Sequence, residues 1–284
     1  MRIVDAQVHI WIASTPERPW LPPAPDIPLP HKPVPFTKDD LLREMDTAGV
    51  HAALLVTPMW EGVRNDVVLA AAHAHPDRFA VMGRLDLAAP AARGLMASWR
   101  ATPGMMGLRV LAHPKERPLL VEGLVDWLWP EAEKAGVPIM LYAMHADLHF
   151  VDRIAVRHPG LKLVIDHLGL PLHSKDEEAF RDLDKLLALA RRPNVAVKAS
   201  SLQHHTSEAY PYRALHPHLR RVYDAFGPRR IFWGSDLTRL PCSYRQAVTL
   251  FTEEIEWLSS EDKAWIMGRG LCEWIGWNAP AKSN

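Results

Sequence analysis

Eight short apolar runs recur along the chain, at 3–9, 52–57, 79–83, 107–111, 137–142, 161–166, 194–199 and 230–235. Most are continuous rather than alternating, the pattern of parallel strands buried on both faces. The stretches between them carry helical start and stop signals. Thr37 stands as an N-cap with the acidic Asp40 three residues on, and Phe36 and Leu41 are placed to staple the entry. Gly49 and Gly136, each in Ala-Gly-Val, sit where a helix ends in a left-handed residue before the next strand. Eight strand–helix repeats in this order predict an α/β fold, a closed (β/α)8 TIM barrel, because right-handed crossovers put every helix outside the sheet. An open doubly wound sheet is the alternative.

One stretch breaks the rhythm. Nine prolines lie between Trp11 and Phe36, which forbids a helix and predicts a stiff, extended loop over 12–36, after the first strand. In a barrel that loop leaves the mouth, so it either lines the pocket or wraps a groove on the surface. Beyond the eighth strand, extra helices are expected near 243–258 and 260–267, with Trp265, Trp274 and Trp277 packing against the barrel. Barrels of about 250 residues form one domain, so residues 1–284 are read as a single domain. No Gly-x-Gly-x-x-Gly or P-loop pattern follows a strand, which leaves a nucleotide cofactor without support.

Composition narrows the partners. Lys+Arg and Asp+Glu balance at 33 each, so no net field draws a polyanion, and nucleic acid is not expected. The two cysteines, Cys242 and Cys272, make no disulfide framework or thiolate zinc site, which fits a reducing cytoplasm. No export signal and no long apolar span is apparent, so a membrane is not expected either. A small-molecule substrate remains; the oligomeric state is not legible.

In a parallel barrel the chemistry sits at the strand C-termini. His9, Tyr142, His167 and Asp236 end the first, fifth, sixth and eighth runs, and polar groups there need partners or a purpose. Singly, a strand-end histidine is an ordinary hydrogen-bonder and Asp236 a helix cap; three such residues around one mouth make a site. Asp5, inside the first run, reads as a structural anchor.

These residues carry a resemblance. Asp5-Ala6-Gln7-Val8-His9-Ile10-Trp11 resembles the first-strand motif of the amidohydrolase-related (amidohydrolase 2) family of the amidohydrolase superfamily, which includes sugar-lactone hydrolases and 2-pyrone-4,6-dicarboxylate lactonase. Asn65, His75-Pro76-Asp77-Arg78-Phe79, Gly107-Leu108-Arg109, His158-Pro159-Gly160-Leu161, Ile165-Asp166-His167-Leu168-Gly169, Val197-Lys198-Ala199-Ser200 and Phe232-Trp233-Gly234-Ser235-Asp236 follow in order across nearly the whole chain. Metal-holding members resemble His-x-His at the first strand, with a further histidine at the end of the fifth. Here those positions are Gln7 and Tyr142, poor ligands beside imidazole. Catalysis without a metal is therefore expected, with a divalent ion such as zinc on His9, His167 and Asp236 as the alternative, supplemented by His145, His204 or His205.

The resemblance and the residue chemistry together predict a hydrolase that opens an ester-like C–O bond in a small cyclic, carboxylated substrate such as a lactone. Asp236 is expected as general base on water, with His9 and His167 as N–H donors to the oxyanion. Arg109 is expected to clamp a substrate carboxylate or to hold a rim salt bridge. Tyr142, Gln7 and Lys198 complete the substrate-facing set, a buried ion pair being the plainer role for Lys198. Ser235 and Cys242 lie outside any nucleophile elbow. The alternatives are a metal-dependent decarboxylase or hydratase, and an inactive binding barrel.

Overall fold

The computed structural model describes residues 1–23, 29–112 and 116–278. Its strands are β1 (Val4–Val8), β2 (Ala52–Val56), β3 (Phe79–Gly83), β4 (Met105–Leu111), β5 (Ile139–Tyr142), β6 (Leu163–Ile165), β7 (Val195–Ser200) and β8 (Ile231–Gly234). They form one sheet in chain order, each parallel to the next. The ends meet where the Asp236 N–H donates to the Gln7 carbonyl at 2.9 Å, so the TIM barrel expected from the repeats is the fold. Gly234 makes this seam possible: a Cβ there would meet the Ser200 Cβ at 3.0 Å and the Gln7 backbone at 3.2 Å.

Local signals behave as their chemistry requires. Thr37 and Asp40 form a reciprocal capping box at the start of the helix Lys38–Ala48, which ends on Gly49 at φ 79°. The helix Leu128–Ala135 ends likewise on Gly136. Ser243 and Ser259 cap two further helices beyond β8, and the segment after the second of them runs under the barrel. There Leu271, Ile275 and Trp277 close the bottom against inward-facing Val4, Leu54, Met82 and Phe232. Trp265 and Trp277 are buried and Trp274 half-buried, as expected of packing residues.

The barrel interior has two tiers. Alternation along a strand sends every second side chain inward. The lower tier is apolar, with Ala6, Met140, Val164 and Ala196 among its members. Two residues further along the same faces stand Arg84, Tyr142, Asp166 and Lys198, joined by Arg109. The polar tier thus lies at the strand C-termini, and the apolar floor beneath it keeps water out. Strand β6 is shorter than its apolar run, because Asp166 already begins a tight turn in which His167 and Leu168 take φ 52° and 53°.

The Pro-rich segment both wraps and lines, so the two expectations are combined rather than opposed. Its ends are tied by an antiparallel bridge between Trp11 and Phe36. Arg18 pairs with Glu61 and Asp66, and the Leu21 N–H donates to the Trp60 carbonyl at 2.8 Å. Residues 24–28 of it lie outside the described residues. No helix among the described residues is long and apolar enough to cross a membrane.

Removing the Thr37 hydroxyl tests the first helix directly. Thr37→Ala is expected to lower unfolding free energy by about 1 kcal/mol, measured by urea denaturation, with the catalytic end of the barrel unaffected.

Candidate active site

Each site residue is aimed by its strand end. A register shift between Asp5 and Val8 marks a bulge in β1. Asp5 anchors it: Oδ1 accepts the Gln7 and Ser235 backbone N–H groups at 2.9 Å each, and Oδ2 accepts the Ser235 hydroxyl and, at 2.7 Å, the Tyr244 hydroxyl. Burial raises the Asp5 carboxyl to about 6 against these bonds. His167 and Asp236 both sit in the left-handed region, at φ 52° and 55°. Such non-glycine conformations cost on the order of 1–3 kcal/mol each. They turn the two side chains off their strands into the mouth.

His9, His167 and Asp236 do come together there, and all three are buried. His9 Nε2 lies 3.5 Å from Asp236 Oδ1. His9 Nδ1 is 2.7 Å from the Val56 carbonyl, which can only accept, so Nδ1 carries the hydrogen. Nε2 then accepts from the Gln7 amide at 3.3 Å. The amide orientation is fixed from the other side, where Gln7 Oε1 accepts from Lys198 Nζ at 2.7 Å. Burial lowers His9 to about 4, against the pull of Asp236, so the ring is neutral near pH 7. A neutral His9 in this tautomer has no hydrogen on Nε2, whose lone pair is taken by the Gln7 amide, so the expected N–H donor role does not fit it. His167 keeps that role open: its Nδ1 lies 2.9 Å from the Ser200 hydroxyl, and a hydrogen donated by Ser200 leaves Nε2–H facing the mouth. Burial lowers His167 to about 3.

Asp236 is 2% exposed, and its Oδ1 is buried without a hydrogen-bond partner among the described residues. Burial alone would raise this carboxyl; the His9, His167 and His31 rings and the Arg239 guanidinium outweigh it and hold it below the usual range. Asp166 is likewise held down despite burial, by Lys198 and Arg109.

Gln7 and Lys198, expected against substrate, are both completely buried. Lys198 Nζ sits 2.8 Å from Asp166 Oδ1 and 2.7 Å from Gln7 Oε1, so neither side chain has a face left for a ligand. Arg109 holds the salt bridge among its two expected roles, Nε to Asp166 Oδ2 at 2.7 Å, with its guanidinium 5.5 Å from the Tyr142 ring centroid. Tyr142 packs its ring edge-on to His167 at the mouth.

Other expectations resolve by position. His145 Nε2 is 3.0 Å from the Leu168 carbonyl and His205 Nδ1 3.0 Å from that of Ser174, so each is tied to backbone. His204 stays near the mouth, where burial and then Arg239 lower it. Ser235 is bonded to Asp5, and burial pushes the Cys242 thiol up, so neither makes a nucleophile. Among the described residues no three His, Cys, Asp or Glu side chains converge on a metal-sized space.

Two groups were not anticipated. His31, from the Pro-rich segment, stands 5.7 Å from the His9 ring and 4.8 Å from Trp60, with Nδ1 2.8 Å from the Thr238 hydroxyl. Burial lowers it to about 3. It is the one histidine in the proline run, a signal present in the sequence but without a strand end to give it a position. Arg239, half-buried three residues past Asp236, acts electrostatically on Asp236, His9, His31 and His204.

Comparison with known proteins bears on the family and the fold. Residues 4–269 match the family model described as Amidohydrolase. An L-fucono-1,5-lactonase of Burkholderia ambifaria is 29% identical over 247 residues, covering 82% of this chain and 79% of that protein. An amidohydrolase of Burkholderia multivorans superposes with TM-scores of 0.80 in crystals with bound HEPES (22% identity) and 0.77 in crystals with bound zinc (21%), in both over 97% of this chain and 99% of that one. A probable 2-pyrone-4,6-dicarboxylic acid hydrolase of Acinetobacter baumannii with bound citric acid gives 0.76 at 17% identity, over 97% and 100%.

The neutral histidines set the acid stability. His9 and His205 are lowered from 6.5 to about 4, and His31 and His167 to about 3, all by burial first. Below 6.5 the unfolded chain takes up protons that the folded chain refuses, so stability rises with pH across this window and falls on acidification. Asp5, raised to about 6, works oppositely, but it is one group against four. Melting temperature at constant ionic strength is expected to drop continuously from pH 7 to pH 4; a flat profile would contradict the neutral-histidine assignment.

Proposed function

The chain belongs to the amidohydrolase family and is a hydrolase of it, and on that premise we propose that it opens a small lactone ring by metal-free attack of water. The observation that carries the reading is Asp236 Oδ1: ionised, buried, without a hydrogen-bond partner among the described residues, and 3.5 Å from His9 Nε2. A water molecule can donate one hydrogen to this free carboxylate oxygen, which orients its own oxygen lone pair toward the substrate. Asp236 takes a proton as that oxygen bonds to the lactone carbonyl carbon. The oxyanion that forms faces His167 Nε2–H and the guanidinium of Arg239, donors that need no metal. Collapse breaks the ring C–O bond, and the departing alkoxide takes the proton from Asp236, leaving a hydroxy acid. Arg109 and Tyr142 border the same mouth and are the groups for a carboxylate or hydroxyl on the substrate.

A resident divalent ion does not suit these donors. His9 Nε2 already accepts the Gln7 amide hydrogen, and the position next to it is an amide rather than an imidazole. This donor set also weakens the metal-dependent decarboxylase or hydratase alternative. The 29%-identical L-fucono-1,5-lactonase supports a sugar-type lactone, and the two unpaired cysteines support a cytoplasmic setting.

A pH-indicator assay over 1,5-aldonolactones, L-fucono-1,5-lactone among them, and 2-pyrone-4,6-dicarboxylate separates the substrate classes. Hydrolysis of an aldonolactone is expected, with kcat lowered about 10²- to 10⁴-fold in Asp236→Asn. Near-native turnover in that variant would remove the general-base role, and no turnover of any lactone would remove the activity.

A further inference from the structure

Beneath the mouth lies a charge imbalance that the proposed reaction has not used. Asp166 divides its carboxylate between two cations, Oδ2 to Arg109 at 2.7 Å and Oδ1 to Lys198 at 2.8 Å. Asp166 and Lys198 are completely buried and Arg109 nearly so. One anion between two cations leaves one positive charge below the site. Asp5 makes no ion pair with either cation, its oxygens being taken by Ser235, Tyr244 and the Gln7 backbone. Arg84 adds a cation on the Arg109 side and faces Glu116 at 3.6 Å. The remaining anion is Asp236, with which Lys198 interacts electrostatically.

We propose that Lys198 is a positioning residue acting as a fixed internal cation: it supplies the positive charge under Asp236 that a metal would otherwise provide, and its presence keeps a divalent ion out. Two consequences follow from the contacts. Lys198 Nζ binds Gln7 Oε1 at 2.7 Å, which turns the amide N–H toward His9 Nε2 at 3.3 Å and so occupies the lone pair a metal would need. The ammonium also repels a divalent ion through a buried interior, where charges are weakly screened. Removing Lys198 leaves Arg109 and Asp166 as a balanced pair, so the positive charge below the site is lost while that ion pair survives and Gln7 becomes free to rotate.

The test uses zinc chloride as the probe, by calorimetric titration of the full chain, with cobalt(II) absorption as the spectroscopic readout. Wild type, Gln7→His, Lys198→Met and the double variant Gln7→His/Lys198→Met are compared, each checked for native circular dichroism. Restoring a histidine beside His9 while Lys198 remains is expected to give only weak binding. The double variant is expected to bind zinc at least about 100-fold more tightly, a difference within what one unscreened charge supplies, and to show tetrahedral cobalt bands. Equal affinity in Gln7→His and the double variant, tight or absent, would overturn the proposal. If Lys198→Met does not fold, Lys198→Gln removes the same charge and keeps a donor for Gln7. A kinetic arm rests on the lactonase reading: Lys198→Met is expected to lower kcat at least about tenfold with KM within about twofold, and unchanged kcat overturns the role. The zinc arm needs no turnover, so a wrong substrate assignment leaves it intact.

Discussion

The buried carboxylate of Asp166, shared between Arg109 and Lys198, is the contact on which the upper half of this barrel depends. Taking three charges out of water is expensive, and a buried ion pair of this kind rarely adds stability over an apolar replacement. Its effect here is geometric. Lys198 fixes the Gln7 amide, Gln7 fixes the His9 tautomer together with the Val56 carbonyl, and His9 faces Asp236. Breaking the chain at Asp166 would strand two buried cations, a loss on the order of 3–5 kcal/mol. The apolar tier below, with Met82, Met140 and Phe232, excludes the water that would otherwise screen these charges.

Burial then sorts acids from bases. His9, His167 and His31 are held neutral, while Asp236 and Asp166 are held ionised by their cationic and imidazole neighbours. Titratable groups pushed apart in this way take distinct roles at one pH. In the proposed reaction the ionised Asp236 is the proton acceptor, and the neutral rings differ only in which nitrogen keeps its hydrogen. For His9 the Val56 carbonyl decides; for His167 the Ser200 hydroxyl leaves the choice to the ligand. Left-handed backbone at His167 and Asp236 shows that the turn geometry is imposed by the surrounding barrel rather than favoured locally.

The barrel was legible from its apolar runs because parallel strands buried on both faces leave continuous hydrophobic stretches, and strand ends then located His9, His167 and Asp236. The cap residues Thr37, Gly49 and Gly136 were equally local. What sequence could not assign was direction within the polar tier. Gln7 and Lys198 sit on the interior faces of β1 and β7, but whether such residues look up at a ligand or sideways at each other depends on pairing across the barrel. Arg109 shows the same limit, since its partner Asp166 is 57 residues away in sequence. His31 and Arg239 were missed because their positions follow from loop paths, and a loop path has no periodicity to read.

The proline run gives that loop path its physical sense. A chain stretch with nine prolines loses less freedom on ordering than an ordinary loop, because each ring already fixes φ. Pinning its two ends through Trp11 and Phe36 then suffices to hold the returning limb against the mouth. That limb places His31 on Trp60, beside His9 and in reach of Thr238 from the β8 loop. The floor of the site is set by charges that cannot move without breaking the barrel, whereas its roof is a tethered strap whose residues can change without cost to the core. On the proposed reading, discrimination among substrates belongs to the strap and the Arg239 loop, and bond-breaking to the strand ends beneath them.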